Sequence, residues 1–89
     1  MTPPRVARRP DALWRQSLDS VVILPAGLDA PVALAGSGSE VWNLLAEAHA
    51  VDDLVQLLAD RHQVDRDVIA SDVEPLLQWL LDIGALSAA

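Results

Sequence analysis

Hydrophobic and polar positions divide the chain into a β-prone first part and a helical second part. Three short apolar runs, at 13–18, 21–24 and 32–35, are bounded by turn-forming residues, which is typical of strands. The run 21–24 gives the strongest signal, because three of its four residues are β-branched. Three such strands in succession predict an antiparallel meander with one face covered by helices.

From residue 37 onward, apolar residues recur at the spacing of amphipathic helices. The first helix is predicted to start with Ser37 and Glu40 as a capping box, in which each side chain bonds the main-chain N–H of the other residue. Asp52 and Asp53 fall in the first turn of the second helix, where the helix dipole favours negative charge. The apolar stripes of these two helices consist of Val41, Leu44, Leu45 and Ala48, and of Val51, Leu54, Val55 and Leu58.

A third helix is predicted to begin near Asp65 and to end at Gly84, which suits the left-handed C′ position of a Schellman motif. Pro75 removes one main-chain donor from this helix. Because Ser71 and Glu74 form a second capping box directly before it, we expect a kink or an interruption near Ser71. The apolar face of the helix consists of Ile69, Val73, Leu76, Leu77 and Leu80.

The length of 89 residues is enough for one domain, and an apolar content of 52% argues against intrinsic disorder. Residues 1–11 are rich in proline and arginine, which predicts a flexible N-terminal arm preceding a folded domain over 12–89. There is no cationic segment followed by an unbroken apolar stretch, and no apolar run long enough to span a bilayer. We therefore expect a soluble cytoplasmic protein that does not bind membranes.

Charge is distributed unevenly along the chain. Residues 1–16 carry a net charge of +3 and residues 17–89 a net charge of −10, which together give −7. An acidic body repels nucleic acid and attracts basic peptides. A small sheet with three helices is also the set of elements found in winged-helix DNA-binding regulators. The alternative interpretation is therefore that the chain is such a regulator. Against it, residues 65–83 offer Arg66 as the one cation beside five carboxylates, whereas a recognition helix needs cations facing phosphates.

No constellation in the sequence is typical of an active site or a metal centre. The chain has no Cys, and His49 and His62 lack partners at metal-ligand spacing. The segment 36–40 lacks the Lys-Ser/Thr of a phosphate-binding loop, and the carboxylates of the third helix are scattered rather than paired. We therefore expect a binding module without catalytic residues, metal or cofactor. The three tryptophans are either core fillers or interface residues.

The order and spacing of these landmarks resemble the PqqD-like family over about residues 12–86. The longest matching segment is Gly-Ser-Gly-Ser-Glu-Val-Trp-Asn-Leu-Leu at 36–45, and the match closes on Ile-Gly-Ala-Leu at 83–86. Ala50 and Pro75 depart from the usual capping Thr and unbroken final helix of that family. The other matching segments are 22–24, 32–34, 51–54, 64–65, 72–73 and 80–82.

The resemblance implies a winged-helix-like α+β fold, with a three-stranded antiparallel sheet followed by three helices. It also implies a recognition element for ribosomally synthesised, post-translationally modified peptides, acting as a peptide chaperone in natural product biosynthesis. Such proteins bind the leader of a precursor peptide without catalysis and present it to processing enzymes. Those enzymes are the protease and cyclase of lasso-peptide pathways, or a radical maturation enzyme as in pyrroloquinoline quinone biosynthesis.

The groove of the family lies between the third strand and the third helix, where the leader adds a strand by β-augmentation. Independently of the resemblance, a short edge strand beside an apolar helix is the setting for this mode of binding. An apolar leader residue would contact the helix wall, and a basic or hydrogen-bonding one would meet Asp72. Mapped onto this sequence, the groove residues are Val32, Ala33, Leu34 and Ala35 on the strand, and Ile69, Asp72, Val73, Leu76 and Leu77 on the helix.

Overall fold

The computed structural model describes residues 3–25 and 27–89. Within them, strands lie before, between and after the helices, so the elements do not separate into a sheet half and a helical half. The fold class is α+β, as predicted. The elements are β1 (Arg5–Arg8), β2 (Leu13–Gln16), β3 (Ser20–Leu24), β4 (Val32–Ala35), α1 (Ser37–Leu44), β5 (His49–Ala50), α2 (Val51–His62), α3 (Arg66–Asp82) and β6 (Leu86–Ala88).

Strands β2, β3 and β4 form the antiparallel meander that the apolar pattern predicts. In its register, the buried Val21 of β3 lies opposite the buried Leu34 of β4. Strand β2 is shorter than expected, because the chain turns where Ser17 donates its main-chain N–H to the oxygen of Ser20 at 2.8 Å. Leu18 therefore lies fully exposed at a turn rather than inside a strand.

Strands β5, β1 and β6 form a second antiparallel sheet, with β1 at its centre. This central strand buries Val6 completely. Main-chain hydrogen bonds extend the pairing at both ends of β1. The N–H of Val51 donates to the oxygen of Pro4 at 2.8 Å, and the N–H of Arg9 donates to the oxygen of Ala85 at 3.0 Å.

The second sheet corrects the predicted domain boundary. The composition of residues 1–11 predicts a free arm, yet residues 5–8 form the central strand of a sheet. The prolines flank this strand rather than interrupt it, so the residues between them keep the N–H donors that a ladder requires. Residues 1–2 lie outside the described part of the chain. The folded domain therefore begins before residue 12.

The core lies between the inner face of the meander, the second sheet and the three helices. Helix α1 packs on β3 and β4, and α2 packs on α3. Of the three tryptophans, Trp42 is a core filler, whereas Trp14 and Trp79 are partly exposed. No helix in residues 3–25 and 27–89 is long and apolar enough to cross a membrane. The fully buried side chains include Val6, Val21, Ile23, Val41, Trp42, Leu54, Leu77 and Leu80.

Helix α1 begins at Ser37 without the predicted capping box. The N-cap position is Gly36, and no side chain bonds to it. Because the helix starts a residue earlier than expected, the N–H of Glu40 donates to the oxygen of Gly36. The Glu40 carboxylate instead contacts the end of α2, at 2.7 Å from His62 Nε2 and 3.4 Å from an Arg61 guanidinium nitrogen. Glu40 therefore links two helices rather than capping one.

Helix α3 runs unbroken past Pro75, so an interruption near Ser71 is wrong, while the alternative of a kink there stays a prediction. The helix starts where expected, because the carboxylate of the N-cap residue Asp65 accepts the N–H of Asp67 at 3.1 Å. Ser71 does not act as a second cap. Its hydroxyl donates to the oxygen of Asp67 at 2.9 Å, one turn earlier within the same helix.

The end of α3 confirms the predicted Schellman motif. Gly84 has a φ of 82°, in the left-handed region that favours glycine. The N–H of Ala85 donates to the oxygen of Leu80 at 2.9 Å, and the N–H of Gly84 donates to the oxygen of Leu81 at 3.2 Å. These two bonds satisfy the last carbonyl groups of the helix and direct the chain into β6.

Candidate functional site

Strand β4 is an edge strand whose outer side pairs with no strand in the described residues. Its side chains alternate, with Leu34 buried and Val32 half-buried on the inner face, and Ala33 and Ala35 exposed on the other. In an antiparallel ladder, main-chain groups also alternate between the two sides of a strand. The outer edge of β4 therefore presents N–H and C=O groups to any added strand, beside the small side chains of two alanines.

The predicted helix residues divide between the core and the surface. Val73 and Leu77 are buried in the core, while Ile69 and Leu76 are half-buried and pack against it. Asp72 is exposed. The candidate wall on α3 therefore consists of Ile69 and Leu76, which lie at the edge of the core and are partly exposed to solvent, with the exposed carboxylate of Asp72 beside them.

Gly38 of α1 lies where the strand and helix walls meet. A Cβ atom placed on Gly38 would lie 3.5 Å from Leu34 Cβ on β4 and 3.9 Å from Leu76 Cδ2 on α3. A methyl group at position 38 would therefore contact both β4 and α3. Of the residues predicted from the sequence, Leu34 and Leu76 thus approach the first turn of α1 from β4 and from α3.

Two further apolar residues belong to the exposed side of α3. Val68 is 53% exposed and Trp79 is 41% exposed. Together with Asp72 and Leu76 they follow the spacing i, i+4, i+8 and i+11, which places all four on one face of a helix. The sequence pattern predicts a single apolar stripe on this helix, which does not include Val68 or Trp79. The signal that could have found them is this second, narrower stripe.

Charged groups on the open side of α3 are negative. The Asp72 carboxylate makes no hydrogen bond or ion pair with another residue of the described chain. Arg66, the cation of this helix, lies 3.6 Å from Asp52 of α2 and is directed away from the stripe. A ligand lying between β4 and α3 therefore meets an apolar wall with one available carboxylate.

Other concavities of the described chain are lined by residues outside the predicted groove set. A cavity of about 760 Å³ opens between the β2–β3 turn, α1 and the end of α2, and its lining includes Leu18, Glu40, Arg61 and His62. A smaller one of about 220 Å³ lies on the outer face of the meander. In residues 3–25 and 27–89, no three His, Asp or Glu side chains are grouped closely enough to hold a metal ion.

The arrangement is that of a small α+β domain with an open strand edge beside a helix. The chain belongs to the PqqD family, since the model of coenzyme PQQ synthesis protein D matches residues 20–86. A solved structure, TbiB1 in complex with the TbiA(beta) leader peptide, has the same fold, with a TM-score of 0.81 and 23% sequence identity over 93% of this chain and 96% of that chain. No curated protein matches this chain.

Proposed function

We propose that this chain is a non-catalytic recognition element that binds the leader of a precursor peptide along the outer edge of β4. The observation that carries the proposal is the edge of β4, which pairs with no strand of the described chain, together with the approach of Leu34 on β4 and Leu76 on α3 to the same turn of α1. Main-chain bonds to the edge would supply affinity, and contacts with the helix would supply selectivity. Membership of the PqqD family and the leader peptide in the TbiB1 structure support the same function.

The chemistry of the groove favours a leader with an apolar residue near a basic or hydrogen-bonding one. The apolar residue would lie against Leu76 and Val68. A basic residue would reach the Asp72 carboxylate, which has no partner within the described chain. The negative charge of the whole chain would also increase the rate of encounter with a basic peptide.

The proposal is tested by titrating the full chain with a synthetic leader, whose sequence comes from the precursor gene beside the gene for this chain. Isothermal titration calorimetry at low salt should give saturable binding with one peptide per chain. A duplex DNA titrated under the same conditions should not bind. Tight binding of DNA together with no binding of the leader would replace the proposal with the DNA-binding alternative.

The contribution of Asp72 is separated from fold stability by a pair of matched variants. Asp72→Asn and Glu74→Gln each neutralise one exposed carboxylate of α3, but Glu74 lies on a different side of the helix, near Pro4 and Ala50. We expect Asp72→Asn to weaken leader binding about two- to tenfold at an unchanged melting temperature. Glu74→Gln should leave the affinity unchanged. Equal effects of the two variants would remove Asp72 from the site.

We also propose that a processing enzyme binds the outer face of the meander. This face exposes Leu13, Val22 and Leu24 around the cavity of about 220 Å³, and exposed apolar patches are typical of protein interfaces. Arg15 lies opposite Val22 on the same face. If this face packed against the same face of a second chain, the two Arg15 side chains would repel each other. The face therefore favours an enzyme, either a protease or cyclase or a radical maturation enzyme, that presents an apolar surface with a carboxylate.

A pair of surface variants tests this second contact. Leu13→Asp places a charge on the proposed interface, and Leu57→Asp places one on an exposed apolar position of α2. Leu13→Asp should abolish co-sedimentation with the maturation enzyme encoded in the same gene cluster, while leader affinity is retained. Leu57→Asp should leave both unchanged. Retained co-sedimentation of Leu13→Asp would contradict the assignment of this face.

A further inference from the structure

Trp79 is an exposed tryptophan with no ionic or aromatic partner in the described chain. It is 41% exposed on α3, and neither a cation nor a second ring lies against it. Trp14, which is 44% exposed, provides the contrast, because the guanidinium of Arg8 lies 4.6 Å from its ring centre. Tryptophan is enriched among the residues that contribute most to binding at interfaces. The ring of Trp79 is therefore available to a ligand.

The position of Trp79 around the axis of α3 places it on the side of the helix that borders β4. Leu76 marks that side, because it and Leu34 of β4 both approach the first turn of α1. Glu74 marks the other side, because it lines a cavity together with residues of β1 and β5. At 3.6 residues per turn, Trp79 lies about 60° from Leu76 and about 140° from Glu74. Trp79 therefore lies on the flank of α3 that belongs to the groove.

The position of Trp79 along α3 places it toward the start of β4. The loop before β4 is joined to the end of α3, because the N–H of Gly27 donates to the oxygen of Ile83 at 3.0 Å. Leu34, near the end of β4, is level with Leu76. Trp79 lies between Leu76 and Ile83 on α3, so the segment between Gly27 and Leu34 runs alongside it. Trp79 therefore belongs to the end of the groove at which β4 begins.

The charged side chains nearest to Trp79 along this flank of α3 are carboxylates. Asp72 lies two turns earlier at almost the same angle around the helix, about 10.5 Å away along its axis. Its carboxylate has no partner in the described chain, whereas Arg66, the one cation of α3, pairs with Asp52 of α2. Asp82 follows Trp79 by one turn. An indole ring beside an unpaired carboxylate attracts a cation, and a guanidinium is the group that both stacks on indole and pairs with a carboxylate.

We infer that Trp79 is a specificity-determining residue that binds an arginine of the leader. The guanidinium stacks on the indole ring and reaches the carboxylate of Asp72. Aromatic side chains of a helix lie over the preceding turn, which brings the ring toward Asp72 and leaves room for one planar cation between them. This inference rests on the proposed function, because it specifies which residue one part of the same groove selects. It predicts a preference for arginine over lysine, whose ammonium group is not planar.

The protein side of the test compares Trp79→Leu, which removes the ring but keeps an apolar side chain, with Trp79→Phe, which keeps a ring. Trp79→Leu should bind the synthetic leader about 2- to 30-fold more weakly, as expected for a lost cation–π contact. Trp79→Phe should have an affinity between those of Trp79→Leu and the unmodified chain. Trp14→Leu is the matched control, because Trp14 is similarly exposed but lies on β2, and it should leave the leader affinity unchanged. Each titration is run well below the melting temperature of the variant, so that only folded chain is measured.

The leader side of the test identifies the cation. Each Arg and Lys of the synthetic leader is replaced by Gln in turn, and the replacement that weakens binding to the unmodified chain most is selected. The selected leader should bind Trp79→Leu and the unmodified chain equally well, because the cation that contacts the ring is gone. At the selected position, Arg should bind more tightly than Lys.

The outcomes separate this inference from the proposed function. Equal binding of the unmodified leader by Trp79→Leu and by the unmodified chain would overturn the inference and leave the proposed function intact. The same holds if Trp79→Leu weakens the Gln leader as much as the unmodified one, or if no basic residue of the leader affects binding. Failure of the unmodified chain to bind the leader at all would overturn both.

Discussion

Arg8 and Trp42 are joined by a hydrogen bond of 2.8 Å, which Arg8 Nε donates to the main-chain oxygen of Trp42. The Arg8 guanidinium also lies 4.9 Å from the ring centre of Trp42 and 4.6 Å from that of Trp14. The two indole rings meet edge to face, with centres 6.1 Å apart. Because Arg8 lies on β1, Trp14 on β2 and Trp42 on α1, this cluster connects the two sheets to the first helix.

The Arg8 cluster predicts that the N-terminal strand stabilises the domain. Replacing Arg8 with Ala removes two cation–π contacts and leaves the oxygen of Trp42 without this donor, so we expect the free energy of unfolding to fall by about 1–3 kcal/mol. Arg8→Lys keeps the positive charge but loses the planar guanidinium, so its free energy of unfolding should lie between those of the unmodified chain and Arg8→Ala. Urea denaturation measures both. Arg9→Ala is the control, because the pair of Arg9 with Asp11 is exposed to solvent and should contribute little to stability.

Pro75 gives a second prediction, since α3 continues past it. In an unbroken helix, the proline leaves the oxygen of Ser71 without its usual main-chain donor. Pro75→Ala should restore that bond and raise the free energy of unfolding by about 1–3 kcal/mol. Chemical denaturation measures the change. A loss of stability would indicate that Pro75 fixes a local geometry that α3 needs.

Local sequence signals were sufficient for the meander, the start of α2 and the Schellman end of α3. They failed where distant residues decide the structure. Strand β1 has only four residues, and its partners β5 and β6 lie more than 40 residues away in the sequence. The pattern of Ser37 and Glu40 fits a capping box, but the contacts of the Glu40 carboxylate with Arg61 and His62 at the end of α2 compete with it. Neither outcome can be inferred from neighbouring residues alone.

For the candidate site, the sequence indicates the position of the groove but not which of its residues are buried. The resemblance implies a groove between β4 and α3, and in the structure Leu34 and Leu76 both lie within 4 Å of a Cβ placed on Gly38. The sequence could not show which apolar residues of α3 are buried in the core and which reach the surface, because a single apolar stripe of this helix serves both the core and the groove. Burial in the structure assigns Val73 and Leu77 to the core, and it leaves Val68 and Trp79 exposed.

Gly27 connects the loop between β3 and β4 to the end of α3, and it gives a third prediction. Its N–H donates to the oxygen of Ile83 at 3.0 Å, and a Cβ would lie 2.6 Å from the same oxygen. Gly27→Ala should force these two segments apart and lower the free energy of unfolding by about 1–3 kcal/mol. Thermal or urea unfolding measures the effect. An unchanged stability would mean that the loop moves away at no cost.

Asp11 gives a prediction for pH. The hydrogen bonds from Arg9 lower the pKa of the Asp11 carboxyl below its ordinary value of 3.8, and the same contact raises the pKa of Arg9. Because the pKa of Asp11 is lower in the folded chain than in the unfolded chain, its contact with Arg9 favours the folded chain above about pH 3.8. This contribution is lost as the pH falls through the folded-state pKa. An NMR titration should show the low midpoint, and Arg9→Gln should return it toward 3.8.

The central claim is that a leader peptide adds a strand to β4, and main-chain amide exchange tests it most directly. Exchange rates are measured by NMR in the full chain, with and without a saturating synthetic leader. Alternate amides of residues 32–35 should exchange at least about tenfold more slowly in the complex, because newly formed main-chain bonds protect them. Strand β2, the other edge of the same sheet, is the internal control and should not change. Unchanged exchange across residues 32–35 in a saturated complex, or protection that appears at β2 instead, would contradict the account.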